Sequence, residues 1–498
     1  MPPSTRLLLR CQRHARPQYT TLVTVGKRGY AVASTRPEIY DVVCVGGGPA
    51  GLSLLSALRS SPITSNLRIA LIEGQDLQRS RLHDASPSSY SNRCSSLTPA
   101  SAAFLKDVGA WQHIDSSRIQ PYHEMQVWDG VSGARISFDW DSASALPFSS
   151  PKQNAASPAS STIAYMTENL NLTSALLARL DELGGVSVYD KTRVEDIQLG
   201  EETDNLDLRS WPLITLSSGK TLAARLLVGA DGANSPVRTF AGIDSRGWDY
   251  ERHGVVATVQ LDGHGWGGDA VKTAYQRFLP TGPVALLPLP GAFSTLVWST
   301  LPQHAAHLKT LSPPDFTAMV NAAFRLSPTD LAYMHTLPSG QASELAWREP
   351  HTPFDPQHIS QRITDVQPNS TASFPLKMRH AATYTGERVA LLGDAAHTIH
   401  PLAGQGLNQG QGDAAALAAT ISTAVAAGMD IGSTLALESY NAERYQANNL
   451  LLGVVDKLHK LYSVGSGPVV WGRSWGLRAV DGVGVLKGFF MRRAAGVR

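Results

Sequence analysis

Three stretches of this 498-residue chain place residues suited to holding phosphate and ribose at turns that follow short apolar runs. The first is Gly46-Gly47-Gly48-Pro49-Ala50-Gly51, a G-x-G-x-x-G spacing. Gly46 permits a tight turn, Gly48 lets backbone approach a pyrophosphate, and Gly51 lets a helix pack closely on a strand. The phosphates would rest on the helix N-terminus, where free N–H groups and the positive dipole end favour an anion. Glu73, 22 positions beyond Gly51, is the acid that ribose hydroxyls require. The second stretch runs from Gly229-Ala230-Asp231-Gly232 to Ser235 and Arg238, the third from Gly393-Asp394 to Gly404-Gln405-Gly406-Leu407-Asn408. Open α/β sheets bind ligands at the carboxyl ends of their strands, so one dinucleotide touching all three turns is the economical reading.

The elements that must hold these turns follow from periodicity. Tyr40 to Val45, short and β-branched, reads as a buried parallel strand, and Leu52, Leu54, Leu55 and Leu58 share one face of the next helix. Arg68 to Ile72 is a second buried strand; Leu226 to Val228 and Arg388 to Leu392 lead into the other two turns. A long helix is expected from near Gly406 through the Ala-rich stretch Ala414 to Ala427. Elsewhere the pattern becomes alternating, and Met125 to Trp128, Ala134 to Trp140 and residues 253–300 read as antiparallel strands. Helices are also expected from a Thr98 or Ser101 cap to near Gly109, over Leu170 to Leu183 and over Pro314 to Phe324, with a short strand over Val186 to Tyr189. Ser142 to Thr162 reads as a Ser-, Ala- and Pro-rich surface loop, and the rest of 303–372 as Pro-rich loops.

Apolar residues make up 43% and charged residues 17%, a globular balance. Residues 1–36 hold seven basic residues and no acid, with Ser, Thr and only the short apolar stretch Leu7 to Leu9, the composition of a mitochondrial transit peptide or of a disordered basic tail. Cleavage after Tyr30 would leave 37 basic against 41 acidic residues, a net charge of −4 that gives nucleic-acid binding no support. Three cysteines, Cys11, Cys44 and Cys94, make neither a disulfide framework nor a zinc spacing. The strongest apolar run, Val284 to Trp298, is interrupted by Pro288 and Pro290 and does not span a membrane. Asn448 to Arg498 carries eight Lys or Arg and two acids among Leu, Val, Trp and Phe; a lipid-touching surface helix and a packed helical appendage both fit.

With these motifs in place, the sequence resembles the FAD-carrying aromatic-ring hydroxylases related to p-hydroxybenzoate hydroxylase. Gly46 to Gly51, then Asp231-Gly232 with Ser235 and Arg238, then Gly393-Asp394-Ala395-Ala396-His397 with Gly404 to Asn408, match that family's three motifs. Tyr275 to Pro283, Ala285 to Leu289, Phe374-Pro375-Leu376 and the unbroken run Gly393 to Asn408 are most similar to the mitochondrial hydroxylases of ubiquinone biosynthesis. The likeness covers residues 38–447 and weakens in 142–162 and 303–372. It implies that Glu73 meets the adenosine ribose, Arg93 the pyrophosphate region and Asp394 the ribityl chain, that the motif around Asp231 serves FAD and NAD(P)H, and that Gly406 to Asn408 aims a helix N-terminus at the flavin pyrimidine. A positive dipole end there would stabilise reduced flavin. On residue grounds alone, Arg93 could equally be a surface charge.

The implied fold is α/β: a Rossmann-like FAD-binding domain interleaved with a mixed antiparallel-sheet substrate domain, plus a C-terminal helical tail. The expected divisions are a transit peptide (1–36), FAD-binding parts (37–115, 161–250, 380–440), substrate strands and loop (116–160), a substrate-binding domain with insert (251–379) and a helical region (441–498). The implied reaction is hydroxylation at C5 of a polyprenyl-4-hydroxybenzoate-type ring through a flavin C4a-hydroperoxide, using O2 and electrons from NAD(P)H directly or through ferredoxin and ferredoxin reductase. The implied address is the matrix face of the inner membrane, with peripheral contact and membership of a biosynthetic complex. A base near the ring would help the phenol react as phenolate. Candidates are His380, His397, His400 and Tyr275, with His397 and His400 better suited to bracing the turn before the flavin helix. The His397-x-x-His400 spacing lacks an accompanying acid or Cys, and no metal is expected.

Overall fold

A computed structural model describes residues 36–81, 89–140, 162–203, 206–262, 272–353, 359–399 and 404–482, with 488 and 491. The expected presequence except Arg36, the 142–162 loop except Thr162, and His400 therefore lie outside the described residues.

The first half of the architecture is a parallel sheet. Strand β1 (Glu38–Val45) leads into helix α1 (Pro49–Ser60), and β2 (Ile69–Ile72) pairs parallel with β1. On the other side of β1 lie β3 (Thr221–Gly229) and then β4 (Val389–Leu391), both parallel to their neighbours. Strand Val186–Tyr189 pairs parallel with β2, and an antiparallel hairpin of Val194–Leu199 and Pro212–Leu216 extends from β3. Such a sheet must be covered on both faces, which explains why β1, β2 and β3 are almost wholly buried rather than alternating. Helices α1, Asn169–Leu183 and α2 (Gly406–Ala426) supply part of that cover, packing Leu54, Leu58, Leu176, Leu417 and Ile421 into one core with the sheet.

The second half is a nine-stranded, largely antiparallel sheet built on the 17-residue strand Ser245–Leu261. Its one parallel step joins Thr273–Leu279 to Glu124–Asp129, so the strands before and after the interposed parallel-sheet segments meet in one sheet. Thus Met125 to Trp128 and Ala134 to Trp140 do pair as a hairpin over Glu124–Asp129 and Arg135–Phe138.

One face of this sheet is covered by four helices, Pro302–Thr310, Pro313–Arg325, Pro328–Met334 and Gln341–Arg348; Trp298, Leu296 and Leu286 pack against Phe316, Met319 and Phe324. Only Pro313–Arg325 is anticipated by periodicity. Three of the four open with Pro at the first turn, where a missing N–H costs nothing and φ is already helical, so prolines that read as loop breakers are helix starts. Two further helices follow, α3 (Thr434–Ser463) and α4 (Pro468–Gly482). Arg473 of α4 makes a two-pronged pair with Asp129, both fully buried, which fixes α4 to the mixed sheet. No described helix is long and apolar enough to cross a membrane.

Candidate flavin site

Strand register sets the site. Val45 pairs with Ile72 on one side and Gly229 on the other, and Gly229 pairs with Leu391. Four chain segments therefore leave the sheet side by side, carrying Glu73, Gly46, Asp231 and Asp394 on the residues that follow. The turns then touch. Gly46 has φ +111°, and a Cβ there would lie 2.2 Å from the Ala230 carbonyl oxygen. A Cβ on Gly51 would lie 2.2 Å from the Gly46 oxygen; on Gly393 or Gly410 it would crowd Ala50 at 3.3 or 3.2 Å. Gly48 differs, since a Cβ there meets nothing within 4 Å. The other four glycines let protein approach protein, whereas Gly48 leaves open a space that backbone can share with a ligand.

Two helices point uncapped N-termini into this region. Neither Gly48 before α1 nor Gln405 before α2 makes a side-chain cap, and no acid sits in either first turn. Their first-turn N–H groups lack intrahelical acceptors, which suits a pyrophosphate at α1 and an electron-rich ring edge at α2. Glu73 accepts from Gly47 N–H at 2.6 Å and Gln75 N–H at 2.7 Å, so its carboxylate is held at the mouth of the glycine turn. The Asp231 Oδ2 accepts from Val237 N–H, while Oδ1 is buried with no partner among the described residues. Burial raises the Asp231 pKa, opposed by local hydrogen bonds and the charge of Arg238. A buried carboxylate oxygen left unpaired is costly, and a donor from a bound cofactor would satisfy it. Arg238 binds the carbonyls of Ala395 and Ala233, tying the second turn to the third.

Asp394 is exposed on the wall of this region but flanked closely enough by protein that desolvation raises its pKa, with His397 pulling the other way. Arg93 is exposed, with its carbonyl held by Asn169 N–H; among the described residues its guanidinium makes no hydrogen bond. Gly404 takes φ +60° ahead of α2, and Leu407 packs on the parallel-sheet core. Asn408 is buried and its amide is fully engaged: it donates to the Ser96 carbonyl at 2.7 Å and accepts from Thr98 N–H and the Ser101 hydroxyl. Its side chain sets the position of α2, leaving only its backbone N–H to face a flavin.

The candidate bases fare differently. Tyr275 lies on the helix-covered face, edge-on to Trp128 and packed against that core; its neighbour in phase, Arg277, bonds the Ala323 carbonyl of Pro313–Arg325. Strand alternation sends Ala274 and Phe278 to the opposite face, so Tyr275 packs against the helix-covered core while Ala274 joins the apolar cluster on the other side of the sheet. His380 bonds the Tyr384 hydroxyl at 2.8 Å, and burial, aided by the charge of His397 and opposed by Asp413, depresses its pKa to about 4. It is neutral at working pH and a weak base. His397 is fully buried, with Nε2 2.6 Å from Asp413 Oδ2 and Nδ1 unpaired among the described residues, which suits the brace.

Asp413 is the residue that sequence reasoning missed. Fully buried in α2, it accepts from Gly393 N–H and His397 through Oδ2, and from Arg444 and Asn448 through Oδ1. Burial pushes its pKa up, but the charges and hydrogen bonds of His397 and Arg444 outweigh this and hold it well below the usual range. Asn448 continues the network to the Tyr384 hydroxyl and so to His380. The signal available in sequence was one acid inside the small-residue run Gly412-Asp413-Ala414-Ala415.

On the mixed sheet's opposite face, Tyr90, Tyr122, Met166, Ala274 and Leu289 form an apolar cluster with Leu287 and Phe293. Tyr122 hydroxyl meets Ser96, the residue whose carbonyl holds Asn408, so this cluster adjoins the start of α2. Of the apolar runs expected to line a pocket or fill core, Leu286 and Leu287 thus face opposite ways.

A parallel sheet with three converging turns, two free helix N-termini and an apolar mixed sheet beside them defines an FAD-binding monooxygenase fold. The profile of the family described as "FAD binding domain" matches residues 39–452. The chain is 39% identical over 495 residues to ubiquinone biosynthesis monooxygenase COQ6, mitochondrial, of Saccharomyces cerevisiae, covering 94% of this chain and 96% of that protein. It is 36% identical to the protein of that name in Homo sapiens, over 97% and 98% of the two chains. Among solved structures, p-nitrophenol 4-monooxygenase PnpA from Pseudomonas putida aligns with TM-score 0.61 at 20% identity, over 93% of this chain and all of that one. P. aeruginosa PqsL in complex with 2-aminobenzoylacetate aligns with TM-score 0.61 at 20% identity, over 89% and 100%; at such identity the two share the fold. The chain belongs to the FAD-dependent monooxygenases of this FAD-binding family, and its named relatives are mitochondrial.

Proposed function

We propose that this monooxygenase hydroxylates the aromatic ring of a polyprenylated phenol in ubiquinone biosynthesis, at C5 of a polyprenyl-4-hydroxybenzoate-type intermediate. The observation that carries the reading is the near-full-length likeness to proteins named for that pathway. FAD, when bound and reduced, supplies the activation of O2. The chain's own part is to bind and orient. Glu73 is assigned to the adenosine ribose, Arg93 and the α1 N-terminus to the pyrophosphate, Asp394 to the ribityl chain and Asp231 to the cofactor side of the second turn. Residues Gly404 to Asn408 present the α2 N-terminus to the flavin pyrimidine, where the dipole favours added negative charge. The apolar cluster around Tyr90, Ala274, Leu287 and Phe293 receives the ring and excludes water.

Electrons come from NAD(P)H directly or through ferredoxin and its reductase, and the enzyme works at the matrix face of the inner membrane within a biosynthetic complex. The test is mass spectrometry of quinone intermediates in cells lacking the protein, with the purified protein assayed for bound FAD. Accumulation of a prenylated phenol short of one ring hydroxyl, alongside flavin-loaded protein, is expected. Normal quinone levels would overturn the pathway assignment.

A further inference from the structure

The His397–Asp413 pair lies between the two segments assigned to the flavin. On one side, Gly393 N–H donates to the same Asp413 Oδ2 that His397 Nε2 meets at 2.6 Å, so the imidazole and the turn carrying Asp394 share one carboxylate oxygen. On the other, Ile399 packs against the start of α2, where a Cβ on Gly406 would lie 3.6 Å from it. His397 donates from Nε2, which leaves a lone pair on Nδ1, buried and without a partner among the described residues. Bracing thus occupies one nitrogen and leaves the other unused. A neutral imidazole backed by a carboxylate is set up to accept a second proton, because the anion stabilises the cation that forms.

The surrounding charges leave room for that proton. Asp413 and Arg444 cancel one for one, and Asp394 lies three residues back along the turn. His380, the cross-strand partner of His397, is neutral because burial depresses it to about 4, and burial keeps the phenols of Tyr384 and Tyr440 protonated. Arg238, bound to the Ala395 carbonyl, opposes a further positive charge. Reduction changes the balance, since it adds negative charge to a cofactor held in surroundings that screen poorly. We propose that His397 takes up a proton at Nδ1 when bound FAD is reduced, and thereby raises the reduction potential of the flavin. Two electrons and one proton enter the flavin, leaving it one charge more negative. A second proton, from solvent, forms the Nδ1–H bond of His397, and no protein bond breaks. The inference rests on the proposed placement of the flavin between Asp394 and α2, and it is independent of which ring is hydroxylated.

The test is spectroelectrochemical titration of FAD in the full-length holoenzyme across about pH 7 to 8. Each proton taken up with an electron pair shifts the reduction equilibrium tenfold per pH unit, about 30 mV. Wild type is expected to change by about 59 mV per pH unit, two protons, and His397→Gln by about 30 mV, one proton. Gln sets an amide N–H where Nε2 stands, so it keeps the bond to Asp413 and cannot take the proton. A one-proton slope in wild type overturns the proposal. So does a two-proton slope that survives in His397→Gln, which would put the second proton on the flavin itself. Wild type alone also decides the question, even where the variant loses FAD: its reduced-minus-oxidised infrared spectrum is expected to gain protonated-imidazole bands that shift on nitrogen-isotope labelling of histidine, and their absence refutes the uptake. Asp394→Ala, titrated with FAD alongside, tests the placement separately, since unchanged affinity there faults the placement while the slopes judge His397.

Discussion

Asp394 and Asp413 sit nineteen residues apart and do opposite work with the same chemistry. Asp413 has both oxygens committed to the protein, whereas Asp394 offers an exposed carboxylate whose pKa burial already raises. A ribityl hydroxyl donating to Asp394 would relieve that cost. Asp394→Ala is therefore expected to weaken FAD binding roughly tenfold to a hundredfold, the range of a hydrogen bond to a charged group, with little loss of apoprotein stability. Titrating apoprotein with FAD measures it; unchanged affinity would remove this carboxylate from the site. Asp413→Asn is expected to lower apoprotein stability by about 3–5 kcal/mol, because Arg444 and His397 would remain buried without their anion. Denaturant unfolding of the apoprotein reports the change. Asp394 was legible because a glycine and a strand precede it, while Asp413 was not, because nothing local distinguishes a buried hub from a solvated helix acid. His397 was visible as a residue, but its partner, and hence its bracing role, depended on a contact sixteen residues away.

At the scale of elements, each glycine turn was readable from strand, turn and helix in register, and the parallel order β2-β1-β3-β4 follows from it. What sequence left hidden was facing. The alternation over 273–279 is clear, yet only the covering helices reveal that Tyr275 and Arg277 point to one core and Ala274 and Phe278 to another. Two of those helices, Pro302–Thr310 and Pro328–Met334, were hidden by their own first-turn prolines. The first glycine turn yields a sharper expectation, since its glycines serve different partners. A Cβ at Gly51 would overlap the Gly46 carbonyl, so Gly51→Ala should destabilise the apoprotein by roughly 1–3 kcal/mol as backbone shifts, and impair FAD binding in consequence. A Cβ at Gly48 meets no protein atom, and its backbone is extended at φ −74°, so Gly48→Ala should leave the apoprotein as stable as wild type while weakening FAD. Paired urea unfolding and FAD titration separate the two. Equal destabilisation by both substitutions would refute the assignment of the space at Gly48 to the cofactor.

Across the whole molecule, buried histidines set the response to acid. Burial, with neighbouring histidines adding to it, depresses His335 to about 3 and His380 to about 4, and it also lowers His304 and His459, both of which face Arg252. His335 stacks on His304 at 3.9 Å and lies near His307 and Trp298, so a proton on either ring of the stack would be both desolvated and repelled. In the unfolded chain these groups titrate near 6.5. Between about pH 6.5 and the depressed folded values, the unfolded state binds more protons, so stability falls as pH falls. The paired carboxylates act elsewhere: Asp430, held at about 2 mainly by Arg388 and Arg225 against its burial, contributes stability above the unfolded Asp value near 4 that disappears only below it. The thermal midpoint of the holoenzyme should accordingly be flat above about pH 7 and drop between about pH 6.5 and 5, each histidine adding up to about 1.4 kcal/mol per pH unit. His335→Phe keeps an aromatic ring against His304 and Trp298 without a titrating nitrogen, and is expected to flatten that drop. Measuring wild type and variant at equal FAD cancels the cofactor's own pH dependence. Identical slopes would mean that the His304–His335 stack does not carry the acid sensitivity, and that it arises from His380 beside the flavin turn or from His459 on α3's buried face, against Tyr250.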